Sequence, residues 1–217
     1  FGNPSSAGVP PETAAQTLVL DYNNAEMLEA AFARDGDNIA CIIVEAVAGN
    51  MNLVAPKREF LDACRALCTR HGSVLIFDEV MTGFGRTGTW FGVNHWNATP
   101  DLLIAAKGAT SGYWPFGFVA AARHVAEPLI ASGFVHGFTY SHSIPGAAVA
   151  RAVLATLRDE RLVEASATRG LQLRAALESA LAGDPWVGEI RGRGLLIGIE
   201  LVAEHAAQTV VRQLVLE

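Results

Sequence analysis

Cysteine is scarce in this sequence. The 217 residues include only three cysteines, and two of them, Cys64 and Cys68, lie four residues apart within a helix-like stretch. A small and odd number of cysteines argues against a disulfide-stabilised secreted domain. We interpret all three as reduced thiols in the core or in an interface, and we expect a cytoplasmic protein. The six histidines show no metal-ligand spacing, so no metal site is predicted.

Long apolar runs and excess positive charge are also lacking. No apolar stretch reaches the roughly 18 residues that a membrane span requires, so no membrane partner is expected. The net charge of −6 argues against nucleic acid or an anionic membrane as a partner. Hydrophobic residues make up 51% of the chain and charged residues 18%, so a sizeable core is expected and disorder is not.

Apolar runs of strand length alternate with helical patterns along most of the chain. The pattern predicts strands at residues 17–23, 39–46, 73–80, 101–108 and 117–121. It predicts helices at 25–37 and 57–72, one or two long helices over 144–181, and a strand pair at 187–202. Continuous apolar strands that alternate with helices are typical of a mostly parallel sheet covered on both faces. The fold class is therefore predicted to be α/β, with a change to a smaller α+β region after about residue 160.

Polar residues follow the ends of the predicted strands, where α/β sheets bind ligands. Asp78 and Glu79 end one apolar strand, and Lys107 ends the next; a polar turn at residues 136–143 follows. Lysine is rare here, because the chain has 14 arginines and only two lysines. Two interpretations of Asp78 and Lys107 are open at this point: a buried ion pair, or a desolvated lysine that acts as an amine nucleophile.

Two other motifs resemble functional signatures but do not predict a functional site. The sequence GFGRTG at 83–88 matches a dinucleotide fingerprint, but the aromatic residues that follow do not form a helical pattern. We therefore interpret it as a glycine-rich turn. His136 and His142 flank Ser141, yet no nucleophile-elbow pattern or third member accompanies them, so a hydrolase triad is not predicted.

The chain resembles the class III pyridoxal-phosphate-dependent aminotransferases from about residue 9 to residue 202. The resemblance depends on LIFDEVMTGFGRTG at 75–88 followed by AAKGATSGYWPFG at 105–117. HGFTYSHSIPGAAVA at 136–150 and RGRGLLIGIEL at 191–201 follow in the expected order. The resemblance implies the aspartate aminotransferase-like fold of pyridoxal-phosphate-dependent transferases.

The resemblance also implies a cofactor and roles for four residues. Lys107 would hold pyridoxal 5'-phosphate through a Schiff base and act as the general base. Asp78 would face the pyridine nitrogen, and Val80 would pack against the ring face. Thr139 would reach the cofactor phosphate across a dimer interface, which implies a homodimer with shared active sites. The implied substrates are small molecules, an amine or amino acid and a carbonyl acceptor.

The resemblance places domain boundaries as well. Residues 1–160 would form the second half of the cofactor-binding large domain, and residues 161–217 would begin the C-terminal small domain. Residue 1 is Phe and the sequence stops within a helix-like pattern, so we expect a segment truncated at both ends. Part of the implied site would then lie outside the chain, and Arg191 and Arg193 are expected to be structural.

The two halves of the chain resemble different members of the family. The front part, at 17–28 and 42–72, is similar to glutamate-1-semialdehyde 2,1-aminomutase. The back part, from 83 to about 146, is similar to omega-amino-acid and amine:pyruvate aminotransferases. Because the back part carries Lys107, we favour transfer between an amine or omega-amino acid and a carbonyl acceptor. The aminomutase, and an inactive segment that serves only as a scaffold, are the alternatives.

Overall fold

The structure, a computed structural model, describes residues 7–202. Six helices and six strands occur in this range. In chain order they are α1 (Pro11–Ala14), α2 (Ala25–Asp35), β1 (Cys41–Glu45), α3 (Arg58–His71), β2 (Val74–Asp78), β3 (Leu102–Ala105), β4 (Phe118–Ala121), α4 (Arg123–Ala131), α5 (Ile144–Asp159), α6 (Leu162–Ala180), β5 (Val187–Arg193) and β6 (Leu196–Leu201). None of these helices combines the length and the apolar character needed to cross a membrane.

Four strands form a mostly parallel sheet in the order β1-β2-β3-β4, as predicted. The first three strands are parallel, and β4 pairs antiparallel with β3. In this register Glu45 lies opposite Asp78, and Asp78 lies opposite Ile104. The carboxyl ends of β1, β2 and β3 therefore lie at one edge of the sheet.

The strand predicted at residues 17–23 is wrong. This segment has no ladder partner among the described residues and runs as coil and turn. Its side chains pack instead, because Leu20 and Tyr22 contact the core and the Tyr22 hydroxyl donates to the Glu45 carbonyl at 3.0 Å. The apolar side chains of this segment therefore pack on the core, while its backbone pairs with no strand among the described residues.

The core lies between the sheet and the helices α2 and α3. Helix α3 buries one stripe at helical spacing, which consists of Phe60, Leu61, Cys64, Leu67 and Cys68. This stripe meets the side chains of β2 that point the same way, Leu75 and Phe77. All three cysteines are free; Cys64 and Cys68 are buried, as interpreted for core thiols, whereas Cys41 is exposed and does not belong to the core. The other face of the sheet carries exposed apolar side chains, including Ile43 at 61% and Val119 at 59% exposure.

Two long helices and a hairpin make up the last part of the described chain. The helical pattern over 144–181 resolves into α5 and α6, and β5 pairs antiparallel with β6 as predicted. Helix α4 was not predicted from the sequence. It contains Pro128, which lacks a backbone N–H and makes a short helix hard to recognise from its residues.

The buried carboxylate of Asp101 links β2 and α3 at the amino ends of the parallel strands. Asp101 precedes β3, and its Oδ2 accepts from the Leu75 amide at 2.7 Å and from Arg65 Nη1 at 2.9 Å. Its Oδ1 lies 3.1 Å from His124 Nε2. Burial acts to raise the pKa of Asp101, but the Leu75 and Arg65 hydrogen bonds outweigh it, so the pKa lies below its usual value. The ionised form of Asp101 is thus the one that the fold stabilises.

We expect Asp101→Asn to lower the free energy of unfolding by about 1–3 kcal/mol at neutral pH. A lowered folded-state pKa contributes stability above the unfolded value of about 3.9 and loses it as pH falls below that value. Urea unfolding of the purified protein between pH 3 and pH 7 measures this. The exposed Asp62→Asn is the control. Identical pH dependence of Asp101→Asn and the unmodified protein would contradict the role of Asp101.

Candidate active site

Asp78, Val80 and Lys107 come together at the carboxyl edge of the sheet. Asp78 is the last residue of β2, and its register partner Ile104 lies on β3 three residues before Lys107. Lys107 begins a single 3₁₀ turn over Lys107–Ala109 that leaves the sheet. The Val80 amide donates to Asp78 Oδ1 at 2.9 Å and orients that carboxylate.

Asp78 and Lys107 do not form an ion pair. Of the salt bridges among residues 7–202, none includes either side chain. Of the two interpretations that the sequence left open, the buried ion pair is therefore wrong for this structure, and the Lys107 side chain is not desolvated in it. Lys107 is exposed, because the chain turns out of the sheet at this point with a left-handed φ of 40°. Such a φ is uncommon in a residue other than glycine and needs support from its surroundings.

The Lys107 turn rests on the loop that follows β2. A Cβ added at Gly108 would lie 3.2 Å from the Phe84 Cβ, so the two backbones lie in close contact. Phe84 is buried in a small cluster with Ala105 and Ala109, on either side of the lysine. The backbone of Lys107 is thus packed, although its side chain is open to solvent.

Glu79 holds this loop at both ends, a role that the sequence did not predict. The side chain is fully buried, and Oε1 accepts from the Val93 amide at 2.7 Å while Oε2 accepts from the Gly92 amide at 2.8 Å. The Thr82 hydroxyl also donates to Oε2. Burial raises the pKa of Glu79, and these three donors act against it by favouring the carboxylate. The sequence signal was an acidic residue directly after Asp78, but its partners lie up to fourteen residues away.

Thr139 lies apart from this group. It belongs to the exposed turn at 136–143, in which Ser141 Oγ donates to the Phe138 carbonyl at 2.7 Å. No hydrogen bond among residues 7–202 links Thr139 to the Lys107 turn. The turn is tied to the site region only at its end, where Trp114 Nε1 donates to Ser143 Oγ at 3.1 Å. Within one chain, Thr139 therefore faces solvent.

The GFGRTG loop is a glycine-rich turn, as interpreted from the sequence. It packs against α6 and against the turn between β5 and β6. The Arg86 carbonyl accepts from the Leu195 amide at 3.1 Å, and a Cβ at Gly88 would lie 2.9 Å from the Ala167 Cβ. A Cβ at Gly170 would overlap the carbonyl oxygen of Gly194. The glycines thus allow close contact between backbones rather than access for a nucleotide.

A cavity of about 650 Å³ lies beside this loop, and its lining contains none of the four predicted site residues. Two arginines of its lining are already engaged. Arg191 pairs with Glu200 and, at 3.3 Å, with Glu189. The Arg193 guanidinium lies 5.0 Å from the ring centroid of Trp96. These contacts are structural, as expected for the two arginines.

The chemistry of the carboxyl edge fits pyridoxal phosphate. An aldehyde needs a free primary amine, and a basic ring nitrogen needs a carboxylate; Lys107 and Asp78 supply these groups from adjacent strands. Asp78 Oδ2 accepts no hydrogen bond from residues 7–202, which leaves it available to a ligand. The residues present would therefore hold the aldehyde and nitrogen ends of the cofactor.

Comparisons with known proteins point to one family. The profile described as Aminotransferase class-III matches residues 3–216. The chain is 50% identical to a glutamate-1-semialdehyde 2,1-aminomutase of Bordetella avium (strain 197N) over 159 residues, 73% of this chain and 36% of that protein. It is similar in structure to an (S)-enantioselective omega-transaminase of Thermomicrobium roseum, with a TM-score of 0.78 and 41% identity over 84% of this chain and 41% of that one.

A third similarity is to the ornithine aminotransferase of Toxoplasma gondii, a structure with partial occupancy of PLP at its active site. The TM-score is 0.77 and the identity 34%, over 85% of this chain and 42% of that one. The chain thus spans less than half of the length of each of these three relatives.

The contact between Gly170 and Gly194 predicts an unusual effect of alanine. Alanine in place of glycine within a helix ordinarily stabilises by roughly 0.5–1 kcal/mol. We expect Gly170→Ala instead to lower the free energy of unfolding by about 1–3 kcal/mol, because its Cβ displaces the hairpin. Urea unfolding tests this, with the exposed α6 variant Ser179→Ala as a control. A more stable Gly170→Ala protein would refute the close contact.

Proposed function

The chain belongs to the class-III aminotransferase family, and we propose that it carries the lysine-bearing part of an enzyme that transfers an amino group between an amine or omega-amino acid and a carbonyl acceptor. The observation that carries this proposal is the arrangement of Asp78 and Lys107. Asp78 ends β2, Lys107 follows the end of the adjacent strand β3, and the two side chains form no ion pair with each other. Among residues 7–202 neither side chain has an ion-pair partner, which would leave the amine and one carboxylate oxygen available to a ligand.

The proposed cofactor is pyridoxal 5'-phosphate. When bound, it supplies an electron sink that makes a substrate C–H bond acidic. Lys107 would hold it through its amine, and Asp78 would keep its ring nitrogen protonated. The Val80 amide donates to Asp78 Oδ1, so the other carboxylate oxygen would be the one available to the ring nitrogen. Lys107 Nζ would also be the general base that moves a proton between the substrate carbon and the cofactor carbon.

A homodimer is the proposed assembly. Val135 and Tyr140 flank Thr139 in sequence and are 95% and 87% exposed, which is unusual for large apolar side chains. A second copy that covers residues 135–143 would bury these side chains and bring Thr139 to the phosphate of the neighbouring site. Residues 1–160 and 161–217 are proposed to be parts of the large and small domains. A cytoplasmic location stays a prediction.

An aminomutase is the second candidate. The 50% identity to glutamate-1-semialdehyde 2,1-aminomutase over 159 residues favours it. An aminomutase returns the amino group to a different carbon of the same substrate, whereas an aminotransferase passes it to a second substrate. Lys107 and Asp78 would have the same roles in both reactions, so the need for a separate acceptor is what would distinguish the two candidates.

Borohydride trapping tests the assignment of Lys107. We expect pyridoxal 5'-phosphate and borohydride to label Lys107 of the full-length protein selectively, since Lys107 follows β3 beside the strand that ends in Asp78, whereas Lys57 precedes α3. Lys107→Ala should lose the label and transfer activity to background, and Lys57→Ala should keep both. Peptide mass spectrometry after digestion locates the label. Equal labelling of both lysines would refute an organised site.

The requirement for an acceptor tests the reaction. We expect consumption of an omega-amino acid or amine by the full-length protein to depend on added pyruvate, with one carbonyl product formed for each amine consumed. Chromatographic quantification of the carbonyl product and of the aminated pyruvate measures this. Conversion of glutamate-1-semialdehyde to its isomer without any acceptor, and no pyruvate-dependent turnover, would replace this proposal with the aminomutase.

A further inference from the structure

Glu79 is a fully buried carboxylate that the proposed chemistry does not use. Its three donors come from the two ends of one loop: Thr82 near the beginning, and Gly92 and Val93 near the end. A buried carboxylate is costly unless such donors satisfy it, and here each oxygen has at least one. The carboxylate therefore closes the loop into a compact unit.

This loop is the surface on which the Lys107 turn lies. The Gly83 amide donates to the Glu79 carbonyl at 2.9 Å, which begins the loop directly beside the carboxylate. Phe84 then packs against Gly108 on one side and stacks edge-on with Phe91 on the other, at 5.4 Å between centroids. Phe91 precedes Gly92, whose amide is held by Glu79. The Phe84 ring thus contacts Phe91, which directly precedes a residue held by Glu79, and it also lies 6.2 Å from the ring of Phe118 on β4.

The backbone at Lys107 needs such support. Its left-handed φ is disfavoured for a residue with a Cβ, and persists where surrounding contacts fix it. Within the turn, the Ala109 amide donates to the Ala106 carbonyl at 2.9 Å and the Thr110 amide donates to the Lys107 carbonyl at 3.2 Å. These backbone bonds define one turn only, and the packing of Gly108 on Phe84, within the cluster that also buries Ala105 and Ala109, contributes to holding its direction.

We propose that Glu79 is a positioning residue for Lys107, whose buried carboxylate fixes the 82–93 loop and through Phe84 the left-handed turn that presents the lysine. Glu79 acts on the lysine only through the loop and touches no reacting atom. The proposal rests on the proposed function, since it assigns Glu79 to the presentation of the cofactor-binding amine. Glu79 would therefore belong to the support of the Lys107 turn and not to the surface that faces the ligand.

The substitution Glu79→Gln removes the negative charge and one acceptor oxygen but keeps the size and shape of the side chain. The amide has the same size, but one of its ends carries N–H donors that would face a backbone amide donor. Asp101 offers a matched control, because it is the buried carboxylate at the opposite edge of the sheet and also accepts from a backbone amide. Both Glu79→Gln and Asp101→Asn should lower overall stability, but only the first should alter the lysine turn.

Hydrogen–deuterium exchange of the cofactor-free full-length protein gives a readout that is independent of activity. We expect Glu79→Gln to accelerate amide exchange about tenfold in peptides that cover 83–93 and 107–110, with no such local change in Asp101→Asn. On addition of pyridoxal 5'-phosphate and borohydride, Glu79→Gln should label Lys107 about tenfold more slowly than Asp101→Asn. Thr82→Val removes one donor at nearly constant shape and should give a smaller effect of the same kind.

The outcomes distinguish the two proposals. If Glu79→Gln or Thr82→Val loses stability while exchange at 107–110 and the labelling rate of Lys107 match those of Asp101→Asn, the positioning role is overturned and Glu79 is only structural. If Glu79→Gln does not fold, Thr82→Val decides by the same criterion. Absence of Lys107 labelling in the unmodified protein would instead overturn the proposed function, while the exchange at 107–110 still reports on Glu79.

Discussion

The parallel pairing of β2 with its neighbours is the constraint on which the rest of the structure depends. Because β1, β2 and β3 run in the same direction, their polar ends meet at one edge, and the register places Asp78 opposite Ile104. Lys107 then follows on the adjacent strand. A shift of the register by one residue would turn Asp78 into the apolar face that packs on α3. The buried residues Leu75 and Phe77 prevent that shift, so the core fixes the geometry of the edge.

The loop after β2 connects this edge to the last part of the chain. On one side Phe84 supports the Lys107 turn, and on the other Gly88 contacts α6 while Arg86 binds the hairpin backbone. Close contact between backbones on the second side leaves little room for adjustment. The position of α6 and the hairpin is therefore tied to the same loop that Glu79 closes. This loop packs against three parts of the fold: the Lys107 turn, α6 and the hairpin.

What could be predicted from the sequence depended on the range of the interactions. The strands around Val44 and Phe77 and the helix α3 follow from local apolar patterns, and the structure confirms them. The strand at 17–23 failed because a strand requires a partner that a local pattern does not specify. The exposure of Lys107 and the role of Glu79 were missed for the same reason. Both depend on contacts between residues distant in the chain, such as Glu79 with Val93.

The exposure of Lys107 is itself an argument about assembly. Proton transfer by a lysine amine gains from a site that excludes water, because electrostatic interactions with the substrate strengthen as water leaves. The described residues support the lysine from behind but leave its amine open. The exposed apolar side chains around Thr139, such as Val135 and Tyr140, are the type of surface that would close such a site from outside. The proposed second copy would thus supply a phosphate contact and part of the apolar cover.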